Sequence, residues 1–395
     1  MLRATVQGAA IATLSVALLL PTPARAADND QRHINQVVTQ AIDPLMQRYG
    51  VPGMAVGVIR GAHTYLYEYG AASRATGRPV TRHTLFEIGS ISKTFTATLA
   101  CYAQLSHTLS LSDSASAYLP ALRGSSFDAV SLLNLGTHTS GGLPLQVPDD
   151  IANDAQLMAY FQHWQPNFPL GTSRTYSNPG IGLLGMIAAA SLHQPFVVLM
   201  QRQLFPALGL KNTYIDVPQA QRDNYAQGYT STDTPVRMTA GVLAAEAYGI
   251  KTTAADLLRF VAANMQLLSV DGKWQAAIAD THTGYYRIGA MTQDLIWEQY
   301  PYPTEPEALL AGNSARIIYE ANPASALDPP LPPQDDVLIN KTGSTNGFAA
   351  YVAFVPGEKI GIVLLANKNY PIEARVTTAY QILAQLRAAR SPAAR

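Results

Sequence analysis

Ser90 and Lys93 lie three residues apart in Gly89-Ser90-Ile91-Ser92-Lys93-Thr94, ahead of an apolar run through Phe95, Ala97, Leu99 and Ala100. Three residues is close to one helical turn, so a helix beginning near Ser90 sets the Lys93 amine over the Ser90 hydroxyl. A serine is a weak nucleophile until a neighbouring group takes or stabilises its proton, and a helix start also offers unpaired backbone N–H groups. Such a pair supports attack by Ser90 on a carbonyl. Ser-x-x-Lys is common by chance, however, and the alternative is a serine that only caps the helix beside a solvated lysine. Two later motifs bear on that choice. Tyr176-Ser177-Asn178 follows the polar approach Gly171-Thr172-Ser173-Arg174-Thr175, which predicts a phenol and a carboxamide exposed on a loop. Lys341-Thr342-Gly343-Ser344 precedes a β-rich run, and Gly343 beside an edge strand would let a ligand come close to the backbone. Each is unremarkable alone; in this order the three are specific.

The elements that must position these residues are legible at both chain ends. Apolar residues recur at helical spacing from His33 to Met46, and Met54 to Ile59 and Thr64 to Tyr69 read as a hairpin around Arg60-Gly61-Ala62-His63. Phe348 to Val355 and Ile360 to Leu365 repeat that pattern around Pro356-Gly357-Glu358-Lys359, and Val376 to Leu386 forms a closing amphipathic helix. An antiparallel sheet built from both ends and flanked by the terminal helices buries these parts most simply. The centre, roughly 113–210, carries helical patterns such as Leu183 to Ala190 and Pro195 to Leu204. The expected fold class is therefore α+β, with an inserted mostly α lobe and a cleft between the lobes. Two long irregular stretches, Val217 to Gly249 and the proline-rich Tyr300 to Pro333, are expected to rim that cleft.

Composition narrows the ligand. The 395 residues hold 27 Lys+Arg and 27 Asp+Glu, with 14% charged, so there is no electrostatic footprint for nucleic acid or an anionic membrane. A small neutral or modestly charged ligand fits better. Met1-Leu2-Arg3, the apolar run Ala9 to Leu20 and Ala24-Arg25-Ala26 have the three parts of a secretory signal peptide, residues 1–26, leaving 27–395 as the mature catalytic domain. The apolar run is too short to span a bilayer, so no membrane anchor is expected after cleavage. The single cysteine, Cys101, rules out an intramolecular disulfide and reads as a small buried hydrophobe. The histidines are scattered singly without zinc-site spacing, so neither a metal nor another cofactor is expected. With no coiled-coil pattern or long exposed apolar element, the expected state is a monomer.

The ordered Ser-x-x-Lys, Tyr-x-Asn and Lys-Thr-Gly set resembles that of the class C serine β-lactamases and, more widely, the penicillin-recognising DD-peptidases and esterases that share their fold. The likeness includes Gly141-Gly142-Leu143-Pro144-Leu145-Gln146-Val147-Pro148, Ala245-Glu246-Ala247-Tyr248-Gly249 and Leu365-Ala366-Asn367-Lys368-Asn369-Tyr370-Pro371, and covers nearly all of the mature chain. The resemblance implies that Ser90 becomes acylated by a lactam carbonyl, with the N–H groups of Ser90 and Ser344 as oxyanion hole. Lys93 and Tyr176 would share the proton work, with either as base; a phenol flanked by Lys93 and Lys341 should have a lowered pKa. By the same likeness Gln146 and Asn178 hold the substrate's side-chain amide, and Tyr248 lines its side-chain pocket. Lys341, Thr342 and Asn369 lie near its carboxylate, and Gly343 and Asn346 complete the substrate-facing set.

Three positions depart from the usual class C pattern: His138 stands where many members have Tyr, Asn346 replaces a frequent Gly, and Ile372 replaces an Asn. The implied activity is hydrolysis of β-lactam antibiotics, cephalosporins best, in the periplasm, conferring resistance; the partners are β-lactam substrates and inhibitors. The alternative is a DD-peptidase or esterase that β-lactams acylate without efficient turnover. A non-catalytic binding protein is hard to reconcile with Ser90, Lys93, Tyr176 and Lys341 all present.

Overall fold

In the run Ala349 to Val355, Ala350, Val352 and Phe354 face one hydrophobic cluster while Ala349, Tyr351, Ala353 and Val355 face another. A strand with both faces buried needs a layer on each side. The computed structural model, which describes residues 23–388 with side chains from Asp30 onward, supplies both. Nine of the described strands form one antiparallel sheet: β1 Gly53–Arg60, β2 His63–Gly70, β3 Gly284–Ile288, β4 Met291–Gln293, β5 Glu298–Pro301, β6 Ser325–Leu331, β7 Val337–Ser344, β8 Ala349–Val355 and β9 Ile360–Ala366. Their spatial order is β6-β3-β4-β5-β7-β8-β9-β1-β2. Strand β1 pairs with β9 from Met54 opposite Ala366 to Arg60 opposite Ile360, so the two chain ends close on each other.

Helices α1 (Pro23–Tyr49) and α6 (Ile372–Ala388) cover one face, through Ile34, Val38 and Ile42 and through Val376, Ala379 and Leu383. The other face carries the helix that follows Ser90, α2 (Ser92–Leu105), behind α4 (Ala254–Asn264). Leu258 of α4 fills the space left by Gly57 on β1, and Phe260 stacks on Phe95 of α2 with ring centroids 3.9 Å apart. Helices α3 (Asn178–Ser191) and α5 (Gly272–Asp280) flank α2, which is buried almost all round. Its threonines fit there because Thr94 and Thr98 donate to the carbonyls of Ile91 and Thr94, leaving no hydroxyl stranded. The stretch 113–210 is built of helices; its described strand is the two-residue Ser173–Arg174.

Two local expectations change. The strand carrying Gly343, β7, is interior to the sheet, but its pairing with β5 ends at Asn340 opposite Glu298, so Lys341 to Ser344 pair with β8 alone. That half-free edge is where a ligand can reach the backbone. The proline cluster at 329–330 falls within an outermost strand, β6, whose register is irregular between Ala326 and Leu331. An edge strand tolerates residues without an N–H, and a period-2 reading has no means of scoring one. Of the expected leader, residues 1–22 lie outside the described part of the chain.

The turn joining β4 to β5 leads directly into Glu298 and is held by Asp294 N–H to the Trp297 carbonyl (3.0 Å) and Ile296 N–H to the Gly136 carbonyl (3.1 Å). The Asp294 carboxyl is fully buried, and neither oxygen has a partner among the described residues. Burial, reinforced by Glu298, pushes its pKa well above the usual carboxylate range. The acid is then protonated when folded and ionised when unfolded, so stability falls as pH rises above the unfolded pKa of about 4. Asp294→Asn is expected to raise Tm at pH 8, with the difference from the parent protein closing as the pH approaches 4; calorimetry across that range checks it.

Candidate active site

Helix α2 begins at Ser92, two residues later than the spacing predicts, and Ser90 sits in a tight 3-10 turn, Gly89–Ile91, closed by Ile91 N–H to the Ile88 carbonyl (3.2 Å). Gly89 permits the turn with φ 50. Lys93, in the first turn of α2, is fully buried, and its Nζ donates to Ser90 Oγ at 2.9 Å and to the Ala247 carbonyl at 2.8 Å. A buried lysine aimed at a partly exposed serine is not the solvated-lysine alternative.

Tyr176 and Asn178 are buried, where the sequence reading puts them exposed on a loop. The reason is that the loop turns at once into α3: Ser177 Oγ accepts the Gly180 N–H (2.9 Å) as helix cap, and Pro179 follows at the first turn. The Tyr176 ring lies among cations, with Lys341 Nζ 5.1 Å, Lys93 Nζ 5.3 Å and the Arg174 guanidinium 5.4 Å from its centroid. One carboxylate, Glu298 on β5, holds two of them, with Oε1 3.0 Å from Arg174 and 3.4 Å from Lys341.

This environment tunes both candidate bases. Burial lowers the Lys93 pKa to about 8, with Lys341 helping and Tyr176 opposing. For Tyr176 burial pushes upward, but Lys341, Lys93 and Ser90 outweigh it and bring the phenol down to about 8. Near neutral pH each group is within reach of exchanging its proton, as general acid–base work requires.

Two glycines let β7 touch the turn that carries Ser90. A Cβ on Gly343 would lie 1.9 Å from the Ile88 carbonyl oxygen, and one on Gly89 would lie 2.6 Å from Ser344 N. The Ser344 backbone therefore runs alongside Ser90. From Ser90 the cleft opens in two arms of about 470 and 520 Å³. The first holds Arg174, Lys341 and Arg375 against Glu298, with Thr342 and Gly343, a net positive lining suited to an anionic group. The second runs past Val147, Met238, Val242, Tyr248 and Asn346. Gln146, Asn178, Ser344, Asn369 and Tyr319 border both. Asn178 Oδ1 is buried with no partner among the described residues, an acceptor open to a ligand N–H. Both stretches form the rims, one through Met238, Val242 and Tyr248, the other through Asn313, Ile318 and Tyr319; the second is not irregular but carries the short helices Pro306–Gly312 and Ala315–Tyr319. Among the described residues no three His, Cys, Asp or Glu side chains lie close enough together to hold a metal ion.

Sequence reasoning missed Arg174, Glu298 and Arg375. Arg375 was detectable: it falls on the apolar stripe of α6, where a charge must find partners. Its partners are the Gly343 carbonyl (2.7 Å), Ser344 Oγ (3.0 Å) and Asn369 Oδ1 (3.4 Å), and burial lowers its pKa to about 10. Arg174 and Glu298 lie 124 residues apart and carry no local signal of pairing.

Gly343→Ala should lower kcat/KM on any Ser90-dependent substrate by about 100-fold or more, the scale of a lost oxyanion donor, because the clash is with backbone that cannot step aside. Steady-state kinetics with a thermal-melt control checks this. Lys341 lowers the pKa of both Lys93 and Tyr176, so Lys341→Gln should move the rising limb of the pH–kcat/KM profile to higher pH whichever of the two is the base.

Comparison with known proteins gives the family. The family model described as Beta-lactamase matches residues 38–387. A β-lactamase of Lysobacter lactamgenus is 54% identical over 365 residues, 92% of this chain and 93% of the relative. A solved class C β-lactamase in complex with cefoxitin has a TM-score of 0.88 at 53% identity, covering 90% of this chain and 99% of its own. The D-alanine carboxypeptidase AmpC from Burkholderia cenocepacia, at TM-score 0.86 and 53% identity, covers 91% of this chain and 99% of its own. A lysine-activated serine beside a cation-held tyrosine, on a fold matched over nine-tenths of its length, leads to one conclusion: the chain belongs to the β-lactamase family, in its class C branch.

Proposed function

We propose that this protein hydrolyses the cyclic amide of β-lactam antibiotics through an acyl-enzyme on Ser90, with cephalosporins its best substrates. The observation that carries the reading is the 2.9 Å contact of the buried Lys93 amine with Ser90 Oγ, next to a phenol whose pKa is brought to about 8. Ser90 Oγ attacks the lactam carbonyl carbon as its proton passes to Lys93 or Tyr176. The N–H groups of Ser90 and Ser344 receive the oxyanion, the C–N bond breaks, and the ring nitrogen takes the proton. A water, deprotonated by the same pair, then attacks the ester carbonyl and Ser90 regains its proton. Lys341, Thr342 and Asn369, with Arg375 behind them, take the substrate carboxylate in the positive arm. Gln146 and Asn178 hold the side-chain amide, and Tyr248 and Asn346 line the other arm.

The same reading makes the protein an exported, monomeric periplasmic enzyme that confers antibiotic resistance, its leader removed after Ala26. The leader pattern and the even charge balance support this. Among the described residues no single helix is long and apolar enough to cross a membrane. A second reading, a carboxypeptidase or esterase trapped by β-lactams, is favoured by His138 and by the name of the Burkholderia neighbour.

Incubating the mature protein with a chromogenic cephalosporin and quenching for intact mass separates the two. Turnover with a transient adduct that Ser90→Ala abolishes is the expected result, whereas a stable adduct without turnover transfers the assignment to the second reading. The Ser90→Ala protein should keep the parent Tm within a few degrees, since the buried Lys93 amine retains the Ala247 carbonyl as its partner.

A further inference from the structure

His138 is fully buried, adopts the left-handed φ of 61, and lines neither arm of the cleft. All three of its distinctive contacts go to one short segment. Its carbonyl accepts the Thr175 N–H at 2.8 Å, its Nδ1 accepts the Ser177 N–H at 3.2 Å, and its ring lies against the Tyr176 ring with centroids 4.4 Å apart at 44°. The amides on both sides of Tyr176 are therefore tied to one residue, and the phenol ring rests on that residue's side chain. A left-handed conformation is unfavourable for a residue with a Cβ, although His tolerates it better than most. Here it brings carbonyl and ring to bear on the same segment.

The Ser177 bond fixes the chemistry of the imidazole. To accept at Nδ1 the ring must be neutral with its proton on Nε2, a nitrogen that has no partner among the described residues. The charged groups facing it are Arg174, Lys93 and Lys341; after burial itself, these hold the imidazole neutral, with its pKa well below the ordinary histidine value. A proton on Nδ1 would break the Ser177 bond and add a fourth cation to the cluster around Tyr176.

We propose that His138 is a positioning residue for Tyr176: as the Nε2–H tautomer it clamps residues 175–177 and fixes the phenol oxygen relative to Ser90, Lys93 and Lys341, acting through Tyr176 without touching substrate. This rests on the reading of Tyr176 as a proton-transfer group in Ser90 acylation. Displacing such a group by about 1 Å costs on the order of 100-fold in rate. Asn supplies an acceptor where Nδ1 sits and accommodates the left-handed backbone, whereas Phe keeps the ring and loses the acceptor.

Three measurements test the proposal. First, nitrogen NMR of the full mature protein with labelled histidine, its His138 signals identified by their loss in His138→Asn, should show a bare Nδ1 and a protonated Nε2 at pH 7. A protonated Nδ1 or an imidazolium overturns the proposal, however the variants behave. Second, the rate of Ser90 acylation by a cephalosporin, followed by quenched mass, should fall about 100-fold in His138→Phe and return to within about tenfold of the parent in His138→Asn, with the dissociation constant of the non-covalent complex little changed in both. Equal acylation rates in all three proteins, or a loss confined to that dissociation constant, overturns it. Third, the rising limb of the acylation pH profile should shift in His138→Phe, because Tyr176 no longer sits where Lys93 and Lys341 act on it; an unmoved limb marks a structural role only. The tautomer is read without substrate, and acylation is read even where deacylation is absent, so failure of the hydrolase reading leaves both results intact.

Discussion

The interaction on which the rest depends is the burial of Lys93, Lys341 and Arg174 around one phenol with one carboxylate among them. Removing each ion from water costs several kcal/mol even after relaxation, so the arrangement persists only if every charge is supplied with partners. Glu298 serves Arg174 and Lys341 together, while Lys93 is satisfied by the Ala247 carbonyl and Ser90 Oγ. Arg174 also donates to Gln293 and to the Ile317 carbonyl. The charge remaining is positive, and that excess makes the phenol acidic, while burial first and Lys341 after it leave the Lys93 ammonium ready to part with its proton. The electrostatics of catalysis and the cost of folding are the same cluster seen twice.

The topology follows from having to bring these groups together. Glu298 lies in β5 opposite Asn340 of β7, one residue before Lys341, and the Asn340 carboxamide donates to the Glu298 carbonyl at 2.9 Å. Ending that ladder at Asn340 keeps the anion beside Lys341 while freeing the strand edge beyond it. The glycines at 89 and 343 then let the Ser90 turn approach that edge backbone to backbone. A side chain at either position would hold Ser344 N away from Ser90.

Local pattern was enough for what local pattern determines. Strands β1, β2, β8 and β9 stand where alternation and Gly-containing turns put them, and the terminal helices where 3.6-residue spacing does. The three-residue step from Ser90 to Lys93 survives even though α2 starts two residues late, because in a 3-10 turn side chains three residues apart eclipse. What escaped notice is set by distance in sequence. Arg174 and Glu298 read singly as surface charges, and nothing near either one announces the other. Tyr176 looked exposed because its neighbours are polar; its burial comes from partners on α2 and β7 and from His138. The β6 strand was hidden by prolines that only an outermost position allows, and Arg375 by placing the helix start at Val376, four residues after its observed start at Ile372.

Backbone strain is distributed with the same logic. Among the described residues, eight non-glycine positions have positive φ, and three of them, His138, Leu243 and Ile296, lie beside the site. Leu243 precedes the short helix Ala244–Ala247, whose last carbonyl holds Lys93; Ile296 lies two residues before Glu298; and His138 grips Tyr176. Each of these three abuts a segment that belongs to or contacts the buried charge cluster. A left-handed residue with a Cβ costs on the order of 1–2 kcal/mol, and a β-branched one such as Ile296 is a genuine outlier. Leu295 and Ile296 are nonetheless buried, and the Ile296 amide is bonded to Gly136, two residues before His138. The turns that carry Glu298 and His138 therefore brace each other behind the site. Strain at one is tolerated because packing at the other leaves it no cheaper conformation, and that mutual support is what keeps a carboxylate and a phenol from different parts of the chain in fixed relation to the same two lysines.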